Sequence, residues 1–240
     1  MNQYQDLAFV LFYEEAGEAD RRYFLFTQNY GKISLLAKGS RKVLSKLAGC
    51  LEPPALVKVV WSIVHQPRLI SAVEEELFPV IKKNPAALSL FLSLLKQVDE
   101  WTILNQAEPQ LWLLLYNVLW WGEKNVAHNP EIIEFLRYYF PAQLLKITGF
   151  APLLDVCAVC GSSQSLSHFS WSKRGVVCSL HYQKGDIVLS KKQRKILQAL
   201  FHLPLSAFRK PATVKEILKE KIFLQLFFTK FTSLIKSDIM

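Results

Sequence analysis

Alternating apolar and polar positions dominate the first 75 residues of the chain. In the stretch "ALVKVVWSIV" Lys58 and Ser62 fall on one face, and the opposite face carries Val57, Val59, Trp61 and Ile63. A period of two residues is typical of a β-strand with one buried face. Five strands are predicted in this region, in the stretches "LAFVLFY", "RYFLFTQ", "KISLLAK", "ALVKVVWSIV" and "RLISAVE".

Five short strands with a longer connection after the third are the element count of an OB-fold barrel. An SH3-like barrel has a similar count, and the alternation alone does not separate the two folds. The predicted class is a multidomain α+β protein, with a five-stranded β-barrel of one of these two types over residues 1–78.

Helical periodicity replaces the alternation from about Phe78 onward. Asn84 precedes a proline, as does Asn129, and each pair places a capping residue before a proline that starts a helix. Gly122 is expected to end the second helix, and Gly149 is expected to close the third. Five helices are predicted to begin near residues 84, 108, 129, 190 and 213, which makes residues 79–240 a helical domain with an insert at about 151–185.

The formal net charge of +9 is unevenly distributed along the chain. Residues 1–80 hold nine Lys/Arg and nine Asp/Glu, residues 81–150 hold six of each, and residues 151–240 hold fourteen against five. From Arg21 to Arg68, however, nine cations accompany one acid, Glu52. Such clustering is expected where a protein binds a polyanion, either nucleic acid or an anionic membrane surface. Charge alone leaves a solvated surface as the alternative.

The beginning of the chain lacks a basic region and meets acids early, so that no secretory signal is predicted. The most apolar run, from Leu111 to Gly122, has twelve residues and is too short to span a bilayer. A cytoplasmic location is therefore expected, where four cysteines are not expected to form disulfides. Cys50 stands alone and is predicted to be a small buried apolar residue.

The predicted insert contains two pairs of potential metal ligands. Cys157 and Cys160 form a C-x2-C pair, and seventeen residues later Cys178 and His181 form a C-x2-H pair. Two closely spaced thiolates on a turn occupy two corners of a tetrahedron, and the second pair completes it. Gly161 suits the first turn because glycine tolerates a positive φ. The pattern predicts a zinc ribbon or knuckle whose Zn²⁺ is structural, because protein ligands fill all four positions.

Two other interpretations of the insert are weaker. A redox-active C-x-x-C motif does not explain the second pair of ligands. His168 is spaced less well than His181 for a place in the tetrahedron, and a surface or half-buried histidine is the expectation for it. Between the pairs, "HFSWSKRGVVC" is typical of a short hairpin that turns at "KRG".

A basic stretch, "AKGSRKVLSKLAGCLEPP", follows the third predicted strand. Together with one lysine from the preceding turn, its cations are predicted to bind DNA phosphates along one rim of the barrel: Lys32, Lys38, Arg41, Lys42 and Lys46. Phosphate binding of this kind releases counterions, is independent of sequence and weakens steeply with salt.

Aromatic residues on the adjoining strand are candidates for stacking on bases. Phe24 and Phe26 are predicted to be core residues, whereas Tyr23 and Tyr30 are the better stacking candidates. A second basic cluster opens a predicted helix and consists of Lys191, Lys192, Arg194 and Lys195. Because the helix dipole disfavours cations there, either a DNA path or a plainly solvated helix face explains it.

Three stretches together resemble the bacterial RecO family of DNA repair proteins. They are "EADRRYFLFTQNYGKISLLAKGSRKVLSKLAGCLEPP", "TGFAPLLDVCAVCG" and "GVVCSLH", and the similarity spans about residues 8–182. The chain departs from the family pattern at His181, where cysteine is usual, and at Pro54, where an aromatic residue is usual. After Pro204 the similarity is loose.

The resemblance implies a nucleoid-associated recombination mediator with a nucleic-acid-binding OB-fold over residues 1–78, a helical domain and a zinc knuckle, and without catalytic residues. Similar proteins bind single- and double-stranded DNA, anneal complementary strands and contact the C-terminal tail of the single-strand binding protein SSB. With RecR they help to load RecA onto SSB-coated single strands. DNA, RecR and the SSB tail are thus the expected partners, RecA is an indirect one, and no membrane is expected.

Two rival functions remain from the residues themselves. A general RNA- or ribosome-binding protein with an OB-fold and a zinc ribbon would share the charge and the barrel. A nucleic-acid enzyme such as a nuclease is disfavoured, because the sequence has no acidic constellation near a plausible site and no Gly-rich phosphate loop.

Overall fold

The computed structural model describes residues 2–42, 47 and 49–239 of the chain. The chain divides into two compact units, Met1–His128 and Asn129–Met240. Strand gives way to helix after residue 76, close to the predicted domain boundary, but the three helices that follow belong to the same compact unit as the strands.

Five strands of the first unit form a closed barrel in the order β1-β2-β3-β5-β4. The strands are β1 (Asn2–Glu15), β2 (Arg21–Thr27), β3 (Gly31–Ala37), β4 (Leu56–Ile63) and β5 (Pro67–Glu76). β3 and β5 pair in parallel through Leu36 and Arg68, and the remaining neighbours are antiparallel. This five-stranded barrel is the predicted OB-fold.

Alternate residues of the strands fill the interior of the barrel. Val57, Val59 and Trp61 are buried there, as the alternation predicts, whereas Ile63 at the end of β4 is 47% exposed. Tyr23 is fully buried in the same core, so that the expectation of base stacking by Tyr23 is wrong. Cys50 is buried in this core as predicted, and burial raises the pKa of its thiol.

Three helices complete the first unit: α1 (Pro79–Lys83), α2 (Pro85–Trp101) and α3 (Pro109–Asn125). The Asn84 side chain accepts hydrogen bonds from the N–H groups of Ala86 and Ala87, both at 3.1 Å, and caps α2 as predicted. Gly122 does not end α3; it lies inside the helix, where a Cβ atom would collide with the ring of Phe91 on α2. The glycine therefore serves close helix packing.

The second unit combines four α-helices and a short 3₁₀-helix (Leu205–Phe208) with a small three-stranded sheet. The helices are α4 (Glu131–Ile147), α5 (Lys191–His202), α6 (Pro211–Leu218) and α7 (Lys221–Ile239), and the strands are β6 (Leu166–Ser170), β7 (Gly175–Cys178) and β8 (Ile187–Val188). Gly149 adopts a φ of 83° and closes α4 as predicted. The predicted final helix is in fact two helices, since the chain turns at Lys219 and Glu220.

Within the described residues, no helix combines the length and the apolar character needed to cross a bilayer.

Candidate metal and nucleic-acid binding sites

The two predicted ligand pairs meet at one point of the insert. The ligand atoms of Cys157, Cys160, Cys178 and His181 all lie within 4.8 Å of one another. His181 turns its Nδ1 toward the sulfurs, at 3.1 Å from Cys178 Sγ and 3.9 Å from Cys157 Sγ. Zinc bonds of about 2.3 Å to sulfur and about 2.0 Å to nitrogen place tetrahedral ligands about 3.5 to 4 Å apart. The four side chains therefore suit a tetrahedral metal ion.

Two short turns hold the ligand pairs in place. The Gly161 N–H donates to the Cys157 carbonyl at 2.9 Å, and the His181 N–H donates to the Cys178 carbonyl at 3.0 Å. Gly161 has a φ of 72°, in agreement with the prediction that this turn needs a glycine. The predicted hairpin is present as β6–β7, but its turn spans residues 171–174, so that Gly175 of the expected "KRG" turn lies in β7. The hairpin brings the second pair beside the first.

The thiols of the cluster differ in acidity. Burial acts to raise the pKa of the Cys157 thiol, but hydrogen bonds from the backbone at Cys160 and Cys178 outweigh it and lower the pKa to about 6. At Cys160 the Ser162 amide acts to lower the pKa, but desolvation and the neighbouring Cys157 outweigh it, so that the pKa is raised. A negative charge on Cys157 thus disfavours ionisation of Cys160 by charge repulsion, and a bound cation would offset this repulsion.

His168 does not join the cluster. Its Nδ1 lies 2.9 Å from Ser167 Oγ, and its ring stacks on Tyr182 with the ring centroids 4.3 Å apart. The same strand carries Phe169, which packs against Phe227 and Phe231 of α7. The sheet of the insert is thereby anchored to the helices of the second unit.

The basic turn that follows β3 is exposed to solvent at three of the predicted DNA-binding residues: Lys38, Arg41 and Lys42. Arg41 Nη1 lies 3.3 Å from Glu15 Oε2, but both side chains are exposed, and such pairs contribute little stability. Asp20 shapes the turn by accepting a hydrogen bond from the Gly39 N–H at 2.7 Å. Lys46, the fourth predicted cation of this stretch, lies outside the described residues.

Lys32 does not belong to this exposed surface. Its side chain is 12% exposed, and its Nζ lies 2.9 Å from Asp99 Oδ1 and 2.8 Å from the Asp99 carbonyl. The ammonium group is already neutralised by a residue of α2, so that a DNA phosphate would have to displace this ion pair. The predicted DNA contact at Lys32 is therefore corrected to a structural contact between the barrel and α2.

Sequence reasoning missed two cations that the barrel brings beside the basic turn. Arg22 on β2 and Arg68 on β5 are both direct neighbours of Leu36 on β3, and Lys38 follows two residues later. Side chains that are neighbours across strands, or two residues apart, share one face of a sheet. The outer face of β2, β3 and β5 thus carries a row of cations, which we call the arginine row (Arg22 and Arg68).

Aromatic residues occupy the outer face as well, but not as predicted. Phe24 points away from the barrel core and stacks on Phe12 of β1, with ring centroids 4.3 Å apart and an angle of 9° between the planes. Phe26 is fully buried, as predicted. Tyr30 is 40% exposed but lies at the opposite end of β3 from Lys38, about 25 Å away at roughly 3.3 Å per residue.

The second basic cluster lies along α5 and is partly neutralised. Lys192 Nζ lies 3.0 Å from Glu216 Oε1 and 3.5 Å from Glu220 Oε1, and the hydrogen bond with Glu216 is the main cause of the raised pKa of Lys192. These carboxylates offset the repulsion between the lysine and the helix dipole. Lys191 and Lys195 are exposed beside them.

The net charge of the molecule resides in the second unit. Residues 1–128 hold thirteen Lys/Arg and thirteen Asp/Glu, whereas residues 129–240 hold sixteen against seven, which accounts for the whole charge of +9. The basic turn and the arginine row are thus a local concentration of cations on a unit without net charge.

Two family models match the chain, one over the barrel and one over the helices that follow it. The family model described as "Recombination protein O N terminal" matches residues 1–77, and the one described as "Recombination protein O C terminal" matches residues 82–222. The second match extends past Pro204, where the sequence similarity noted above was loose.

Curated relatives cover most of the chain. DNA repair protein RecO of Desulforudis audaxviator is 30% identical over 180 residues, which are 74% of this chain and 70% of the relative. The RecO protein of Acetivibrio thermocellus is 29% identical over 210 residues, covering 86% and 82%. That of an Exiguobacterium species is 26% identical over 196 residues, covering 80% and 76%.

The barrel and the Cys₃His cluster define an OB-fold protein with a helical unit and an insert whose four Cys and His side chains could hold a metal ion. Within that class, the chain belongs to the recombination protein O (RecO) family, which confirms the resemblance found in the sequence.

Proposed function

We propose that this protein is a recombination mediator in DNA repair. In this proposal it binds single- and double-stranded DNA, anneals complementary strands and, together with RecR, helps RecA to load onto SSB-coated single strands. The proposal requires no catalytic step, since charge neutralisation lets two polyanionic strands approach and base pairing drives their annealing.

The observation that carries the DNA-binding part of the proposal is the position of the exposed cations. Lys38, Arg41 and Lys42 adjoin the arginine row on the outer face of β2 and β3, which is the face by which OB-folds bind oligonucleotides. Cations in this place neutralise phosphates without reading sequence. The excess charge of the second unit adds a general attraction for DNA.

For the metal cluster we propose a structural Zn²⁺. Three thiolates and one imidazole are a ligand set that zinc accepts, and they leave no open position for a reacting water. The cluster lies in a very small core of its own, formed by Cys157, Val177 and Cys178. A metal ion would therefore supply much of the stability of the insert and hold it in shape.

A groove of about 570 Å³ in the second unit supports the proposed contact with an SSB tail. Its floor is apolar and includes Ile196, Phe208 and Ile217. Its rim carries Lys191 and Lys195, together with Lys192 and Glu216, which pair with each other. The tail of SSB is acidic and ends in apolar residues. An apolar floor with lysines on the rim complements both properties of such a peptide.

Charge reversal on the rim provides a test of this groove. The double substitution Lys191→Glu and Lys195→Glu is expected to weaken binding of a labelled SSB-tail peptide by roughly tenfold. Lys173→Glu with Lys184→Glu changes the net charge equally at exposed positions of the insert and should leave the affinity unchanged. Equal losses in both variants would refute the groove as the docking site.

The proposed function is tested by strand annealing. Complementary oligonucleotides coated with SSB are expected to anneal faster in the presence of the protein, and the acceleration should fall as salt is added. RNA strands of the same sequence serve as competitors. Preferential binding of RNA, together with no effect on annealing, would favour the RNA-binding alternative and reject the proposal.

A further inference from the structure

The first unit contains a cleft of about 530 Å³ between β1, α2 and the segment at Glu52 and Pro53. Aromatic, aliphatic and charged side chains line it together, among them Phe12, Tyr13, Glu52, Leu92, Lys96 and Asp99. A nucleobase needs this combination, since its faces are apolar and its edges form hydrogen bonds.

One wall of the cleft is a preformed stacking surface. Phe12 is only half-buried, and its ring is backed by the parallel ring of Phe24 on β2. The pair holds the Phe12 ring in a fixed orientation before any ligand arrives. Stacking of a base on an aromatic ring is tolerant of sequence, as a mediator that acts on any DNA requires.

The charged residues of the cleft are compensated. Glu52 Oε1 lies 3.0 Å from Arg21 Nη1, and Asp99 Oδ1 lies 2.9 Å from Lys32 Nζ. With the exposed ammonium of Lys96 added, three cations accompany two carboxylates. The cleft therefore does not repel a DNA strand, and the carboxylates still offer acceptors to the N–H groups on a base edge.

The cleft is continuous with the proposed phosphate-binding surface. Phe24 and Arg22 are two residues apart on β2, so that they share the outer face and lie about 7 Å from each other along the strand. Across the sheet, Arg22 neighbours Leu36, which in turn neighbours Arg68. A phosphate at Arg22 and a base on Phe12 are thus within the reach of a single nucleotide, and Arg68 can hold the next phosphate.

We propose that this cleft binds one unpaired base of single-stranded DNA, stacked on Phe12, while the arginine row and the basic turn hold the backbone beside it. The inference rests on the proposed function and assigns to it a base-binding site. A paired base cannot enter, because its edge and faces are occupied in the duplex. The cleft would therefore favour single strands over double strands.

Affinity for DNA with and without bases tests this proposal. The protein is expected to bind an oligodeoxycytidylate roughly tenfold more tightly than an abasic strand of equal length, as measured by fluorescence anisotropy. Leu92→Trp fills the cleft from an exposed position of α2 and should bring the ratio of the two affinities, with and without bases, close to one. Leu113→Trp, at an exposed position of α3 outside the cleft, should keep the ratio of the unaltered protein.

Each outcome decides a separate point. An equal affinity of the unaltered protein for both strands overturns the base-binding site but leaves phosphate binding intact. A tenfold preference that persists in Leu92→Trp places the bases elsewhere and also overturns it. Failure to bind either strand rejects the proposed function itself. Should Leu92→Trp not fold, Phe12→Leu removes the stacking ring while it retains an apolar side chain, and the same loss of preference is expected.

Discussion

Replacement of His181 by alanine is expected to abolish stable metal binding and to lower the thermal midpoint of the second unit by roughly 10 °C. The ring is only half-buried, so that its removal by itself costs little packing. When the free metal ion is present at one hundred times its Kd, however, its binding adds about 2.7 kcal/mol to the free energy of unfolding. Loss of one ligand removes this contribution. For a unit of this size that loss corresponds to the expected shift. Metal analysis and calorimetry measure both quantities.

His168→Ala is the matched control for this variant, because His168 lies in the same insert without joining the cluster. Its metal content should equal that of the unaltered protein. A chelator should reproduce the effect of His181→Ala and should make the three cluster thiols reactive toward a thiol reagent. Since protons compete for the thiolates and the imidazole, acidification should also release the metal. A thermal midpoint that is the same with and without a chelator would contradict a structural role for the metal.

The Cys₃His cluster was predictable because its determinants are local. Each ligand pair lies within one turn, and the residues that join the pairs form a hairpin whose pattern is visible in the sequence. What the sequence does not contain is the anchor of this hairpin. Phe169 packs against Phe227 and Phe231, which lie more than fifty residues away on α7, and no periodicity links residues at that separation.

The outer face of the barrel was harder to predict than its interior. Alternation identifies two faces of a strand, but it does not say which face points inward when both carry aromatic residues. On β2 the inner face carries Tyr23 and Leu25, and the outer face carries Phe24 and Phe26. The irregular pairing of β1 between Val10 and Phe12 further shifts the register on which such an assignment depends.

Helices that pack on a barrel cover some of its outward-facing residues and give them structural contacts. Lys32 has the sequence context of a DNA-binding lysine, yet Asp99 on α2 neutralises it. Gly122 has the context of a helix end, yet it allows α3 to approach Phe91. Both errors have one cause, since the partner residue comes from a different element, and the sequence does not show which elements pack together.

The proposed DNA-binding surface was predictable only in part for a similar reason. Lys38, Arg41 and Lys42 are adjacent in sequence, and their clustering is visible there. Arg68 becomes their neighbour only because β3 and β5 close the barrel in parallel. The arginine row is thus a product of topology, and it extends the predicted basic turn across the outer face of three strands.

Removal of two cations from the basic turn is expected to have the largest effect on DNA binding. Arg41→Ala with Lys42→Ala should weaken binding of single-stranded DNA at moderate salt by roughly tenfold and flatten the dependence of log K on log salt by about 1.4, since each phosphate contact contributes about 0.7 on a single strand. Both side chains are exposed, and the Arg41–Glu15 pair is a surface contact of little energetic weight, so that the fold should be retained. Lys58→Ala with Lys124→Ala changes the charge of the same unit equally at exposed positions away from the turn. If both double variants flatten the salt dependence to the same extent, the cations act through net charge alone, and the basic turn is not a phosphate-binding site.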